Sequence, residues 1–161
     1  MRNAVAAIES SAALNRRPLY LGHVASAHAA LGQHEIGLDL LDEAIQTTET
    51  ANEFFFEAEL RRLRSNVLTG LGRRAEAESE LRRALAIAQQ QEARWWELRA
   101  AVSLAKHWRD EGKYLEAYSV LQPVYSWYVE GFDTNDLKGA KALLDELKDL
   151  LGPEKSSKPK N

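Results

Sequence analysis

Apolar and small residues recur along the chain at spacings of three and four, and the same arrangement returns every forty residues. Gly32, Gly72 and Gly112 mark the period. Five residues beyond them stand Gly37, Ala77 and Ala117, nine beyond Leu41, Leu81 and Leu121, and twelve beyond Ala44, Ala84 and Val124. Each glycine follows a stretch of helix formers and can end a helix in the left-handed conformation, so the pattern predicts an A helix, a tight turn and a B helix in each copy. The small fifth residue lets the two helices approach closely. The leucine and the next small residue lie on its stripe and face the partner helix.

Reading back from the glycines, the buried face of helix A is Leu21, Val24, Ala25 and His28 in the first copy and Ala101, Leu104, Ala105 and Trp108 in the third. The middle copy places Arg61, Arg64, Ser65 and Leu68 there, so either its stripe is rotated onto Phe56, Leu60, Leu63 and Val67 or the register slips. The predicted pairs are 18–31 with 35–50, 53–70 with 74–91, and 94–110 with 114–130. Pro18 suits a first helical turn, whereas Pro123 falls inside the last B helix and predicts a kink or break there, with a strand as the minor alternative for that stretch. A final amphipathic helix over 135–151 is predicted, capped by Asp133 or Thr134 and stopped by Gly152 and Pro153. It forms a polar terminal cap over 132–151, and 152–161 reads as a disordered tail. At the other end Ala4 aligns with Ala44 and Ala84, so residues 1–14 read as part of a B helix whose A partner is missing: either the chain is a fragment of a longer protein or this first helix is a degenerate cap.

The glycine, small residue, leucine and alanine at these offsets resemble the tetratricopeptide repeat. That resemblance implies an all-α, right-handed solenoid of about three helical hairpins over 15–131, with an N-terminal partial repeat and a C-terminal capping helix. The period of forty exceeds the usual tetratricopeptide length of about 34 residues, and longer repeats such as the HEAT type are the alternative. A second resemblance rests on Trp96-Glu97-Leu98-Arg99-Ala100-Ala101 with Ser103-Leu104-Ala105, on Leu121-Gln122-Pro123-Val124-Tyr125, and on Glu130-Gly131-Phe132-Asp133-Thr134 with Asp136-Leu137. Over residues 16–151 the chain is similar to the C-terminal repeats of bacterial signalling proteins that join a class III adenylate or guanylate cyclase to a P-loop ATPase. Those catalytic residues lie in other domains. This chain carries neither a phosphate loop ending in GK[ST] nor a strand with paired metal-binding aspartates, so the resemblance implies a regulatory interaction module and no catalytic site.

Composition narrows the partner only slightly. With 45% apolar and 28% charged residues the 161-residue chain is expected to fold as one globular region, and a formal charge of -3 gives no general pull toward nucleic acid or anionic lipid. The lack of cysteine excludes disulfides and thiolate chemistry and suits a cytoplasmic setting. No stretch reaches the roughly 18 to 20 apolar residues of a membrane span. His23, His28, His34 and His107 have no metal-ligand spacing, so neither metal nor cofactor is expected, with His28 read as core-facing and His34 as a turn residue. The pairs Arg61-Arg62, Arg73-Arg74 and Arg82-Arg83, with Arg64 nearby, alternate with Glu57, Glu59, Glu76, Glu78 and Glu80 and read as a solvated face laced with ion pairs. Phe54, Phe55, Phe56, Trp95, Trp96, Trp108, Trp127 and Tyr128 are expected mostly to fill the core.

In stacked hairpins of this kind the residues opposite the buried stripe of the A helices line a groove. Here they are Leu19, Gly22, Ser26, Ala29 and Ala30, then Glu59, Arg62, Asn66 and Thr69, then Arg99, Val102, Lys106 and Arg109. Small residues leave room in the first copy. Arg62, Asn66, Arg99 and Lys106 can hold the carboxylates or carbonyls of an acidic or extended peptide. The reading is a scaffold for another protein or a peptide. Self-association through residues 1–14 is the structural alternative, and an enzyme the least favoured one.

Overall fold

The structure, a computed structural model, describes residues 2–51 and 54–152. Among them are seven α-helices: α1 (Arg2–Ala30), α2 (His34–Ala51), α3 (Glu57–Gly70), α4 (Arg74–Gln90), α5 (Arg94–Asp110), α6 (Tyr114–Ser126) and α7 (Asn135–Leu151), with a 3-10 turn at Phe54–Phe56. Within each compact part of the chain, neighbouring helices pack pairwise: α1 on α2, α2 on α3, α5 on α6 and α6 on α7. None of them is long and apolar enough to cross a membrane. Met1 and the predicted tail from 153 onward lie outside the described residues.

The three A–B turns share one hydrogen-bond pattern. The amide of Gly32 donates to Ala29 O and that of Gln33 to His28 O; Gly72 and Arg73 do the same to Thr69 and Leu68, and Gly112 and Lys113 to Arg109 and Trp108. The glycines sit at φ of 78°, 75° and 75°, where a side chain is disfavoured. This is the Schellman closure, which satisfies the last carbonyls of helix A and turns the chain into helix B. The fifth-position residues behave as the spacing predicts: Ala77 and Ala117 are fully buried, and a Cβ on Gly37 would lie 2.9 Å from the carbonyl oxygen of Ala25.

The chain forms two compact units, divided after Ile87 within α4. In the first, α1, α2 and α3 pack around Ala25, Leu38, Leu41, Ala44, Leu60, Leu63, Val67 and Leu68, joined by Ala77 of α4. The rotated stripe and the forty-residue register are both covered here, because α3 is buried on more than one side. Arg61 and Ser65 are covered as the forty-residue register requires, and so are Leu60, Leu63 and Val67. In the second unit α5 packs on α6, and both carry α7. Leu98, Ala101, Leu104, Ala105 and Trp108 of α5 are buried, and the same spacing recurs in α7 as Leu137, Ala140, Leu143, Leu144 and Leu147.

Four expectations need correction. Pro18 does not open a helix: it is buried within α1, which runs unbroken from Arg2; its fixed φ is compatible with a helix, and burial of the ring offsets the lost N–H and the crowding of the carbonyl four residues before it. The segment 1–14 is therefore not a separate element where it is described. Pro123 lies inside α6, which ends three residues later at Ser126 instead of reaching 130, and no strand forms there. Thr134 occupies the N-cap of α7, but its hydroxyl donates to Gly131 O, 2.8 Å away, and does not cap the helix. The aromatic residues do not fill the core. Of those named above only Trp108 is buried, while Phe55, Trp95 and Trp127 are exposed. Helices held together by alanine and leucine approach too closely to admit large rings, which move to the turns and rims.

Candidate functional site

The predicted groove residues meet different fates. Gly22 abuts the side chains of Leu60 and Leu63, so the room left by small residues in α1 is taken by α3. Glu59 is 1% exposed and does not face open solvent; the Arg62 Nε and Nη2 donate to its two oxygens at 2.8 Å each. Asn66 on α3 and Lys106 on α5 are exposed. Arg99 and Arg109 are engaged by α7, Arg99 3.8 Å from Asp136 and Arg109 3.1 Å from Glu146. Ten residues apart in both helices, these pairs show that α5 and α7 run in the same direction. Asp110 also binds Arg109 and raises its pKa. His28 is half-buried with its Nδ1 2.6 Å from Gln33 Oε1, His34 lies over Gly70, and His107 is buried with its Nε2 3.2 Å from Glu111.

Two clusters of charge were not legible as sites. The first surrounds Arg61 on α3, 4% exposed and so not on a solvated face. Its Nε and Nη2 both lie 2.7 Å from Glu57 Oε1, its Nη1 is 3.2 Å from Glu80, and Glu49 is 3.7 Å away. A buried carboxylate at Glu57 is tolerable only because this guanidinium neutralises it. Among the other arginines the expected surface pairs do form, Arg73 with Glu76 and Arg82 with Glu78.

The second cluster is a cleft of about 360 Å³ in the second unit, between the end of α4, the start of α5 and the last turns of α6. Val120, Pro123, Val124 and Trp127 form its apolar wall, and Gln89, Arg94, Glu97 and Ser119 its polar one. Glu97 is 5% exposed. Its Oε1 accepts from Gln89 Nε2 at 3.2 Å and its Oε2 from Arg94 Nη1 at 2.8 Å. The Arg94 guanidinium lies 4.2 Å from the centre of the Trp127 ring, a cation–π contact. The Tyr128 hydroxyl donates to the Arg94 carbonyl at 2.7 Å, and its pKa is raised by burial and then by the nearby Glu97 carboxylate. The cleft thus combines a desolvated acid, an aromatic face and apolar walls, a set suited to holding a cation with an apolar stem. The one sequence signal that links the clusters is the repeat itself, since forty residues separate Glu57 from Glu97 and Glu49 from Gln89, but the spacing alone does not tell that these positions are buried.

Neither protein-family models nor curated proteins match the chain.

Proposed function

We propose that the chain is a protein-interaction module, a right-handed solenoid of tetratricopeptide-like hairpins that grips a segment of another protein. The observation that carries this reading is the recurrence, at positions 28–33, 68–73 and 108–113, of one turn with one set of hydrogen bonds. Repeated hairpins are a way of building an extended surface, each unit covering the apolar face of its neighbour and leaving the other side free to bind. The sequence similarity over 16–151 supports placing the module as the regulatory repeat region of a bacterial cyclase- or ATPase-linked signalling protein in the cytoplasm. Asn66 and Lys106 are exposed on A helices and available for contact, and Arg62 and Arg99 on the same helices are half-buried and already paired with Glu59 and Asp136.

The test is an array of short peptides probed with the purified chain, followed by calorimetry on the strongest. Saturable binding is expected, and it weakens when Arg62, Arg99 or Lys106 is changed to alanine with helicity unchanged. A chain that binds no peptide, or turns over nucleoside triphosphates saturably, overturns the reading. Light scattering over a concentration series separates it from a self-association module.

A further inference from the structure

The repeat supplies an internal comparison between the two charge clusters. In the second copy the Arg61 guanidinium lies against Glu57, Glu49 and Glu80. Forty residues on, those three positions are Glu97, Gln89 and Val120, and all three line the cleft. The position of Arg61 itself is taken by Ala101, whose side chain stops at Cβ. The third copy therefore keeps the buried carboxylate of a guanidinium site without an arginine one turn further along its own helix, and Glu97 pairs instead with Arg94 from the turn before.

We infer that this cleft binds an arginine side chain supplied by a partner peptide, its guanidinium held between Glu97 and Trp127 and its methylenes against Val120, Pro123 and Val124. The inference rests on the interaction-module reading and names what one part of that module recognises. Arg94 now holds the place. It is the first residue of α5 and its side chain is 41% exposed, whereas the Glu97 side chain it pairs with is 6% exposed, so the acid is fixed in place and the arginine on it is open to exchange. A guanidinium arriving on a peptide that also covers the apolar wall displaces it, because it brings burial that Arg94 does not. Planar donors suit the site better than an ammonium, since they can stack on the indole while bonding to the carboxylate.

The probe is an acetylated, amidated pentapeptide with one central arginine between leucines, compared with the same peptide carrying neutral, isosteric citrulline. Binding is followed through the Trp127 indole N–H resonance in the full chain. The arginine peptide is expected to shift that resonance saturably, the citrulline peptide to bind at least about tenfold more weakly, and Glu97→Gln to lose a similar factor. Arg94→Ala is expected to bind more tightly, with its competitor gone. No saturable shift, equal affinity for citrulline, or undiminished binding by Glu97→Gln overturns the assignment. If Glu97→Gln loses helicity, the citrulline comparison on the unaltered chain decides alone. A chain that ignores the arginine peptide yet binds others through Arg62 or Lys106 refutes the cleft and leaves the interaction reading standing.

Discussion

At the end of α4, Glu92 holds φ at 52° to let its own amide reach Gln89 O and that of Ala93 reach Ala88 O. It closes this helix as the glycines close the A helices, but with a side chain where one is disfavoured, at a cost of about 1 kcal/mol. Glu92→Gly is expected to raise stability by roughly 0.5–1 kcal/mol, read from the urea midpoint at unchanged slope. Glu76 is a second residue with a definite expectation. Hydrogen bonds from Arg73 at 2.7 and 2.6 Å lower its carboxyl pKa, an effect opposed by slight desolvation and assisted by the charge of Arg73. Because the folded value is depressed, the pair stabilises the protein above the unfolded glutamate pKa, and that stabilisation is lost as pH falls through the folded value. Titration of Glu76 by NMR is expected to fall below the usual glutamate range and to return to it in Arg73→Ala.

For whole elements, what decides the effect of a substitution is the neighbour across the helix. Gly37 and Gly139 are both helical glycines, and by propensity alone alanine improves either by about 1 kcal/mol. A Cβ at Gly139 meets nothing within 4 Å, whereas at Gly37 it meets the Ala25 carbonyl at 2.9 Å, a backbone atom that cannot swing aside. Gly139→Ala is therefore expected to stabilise by roughly 0.5–1 kcal/mol, and Gly37→Ala to destabilise by about 1–3 kcal/mol less that gain, both measured by urea unfolding. In α3 the sensitive residue is Arg61. Arg61→Ala strands the Glu57 carboxylate, 9% exposed, and is expected to cost about 3–5 kcal/mol in the same assay. The helices themselves were readable in advance, since their glycine stops and spacing lie within each segment. The burial of Arg61 was not, because an arginine among glutamates looks like a solvated face until α2 and α4 bring Glu49 and Glu80 against it.

For the molecule as a whole, the terminal helix is the element whose role the packing redefines. Its outer side is charged, as a cap requires, with Lys141 pairing to Asp145, yet it also repeats the buried spacing of α5 and runs in the same direction beside it. A chain ending at residue 131 removes the cover that Leu137, Ala140, Leu143, Leu144 and Leu147 give to α5 and α6. Hydrogen exchange is expected to show the amides of α5 and α6 losing most of their protection in that truncation, and retained protection would show that α7 is dispensable.

What the residues determine unaided is the set of features built from neighbours in the chain: the three glycine turns, the helices between them, and the small and leucine positions of each B helix. Those follow from backbone conformation and bonds spanning three to five residues, which a linear pattern encodes directly. Tertiary structure alone decided which sides of α3 are covered, why the rings stand at the rims, and that Glu57 and Glu97 share a buried position with only Glu57 paired to an arginine from the next turn of its own helix. These depend on distances between segments tens of residues apart. There desolvation and close packing override what a side chain prefers by itself.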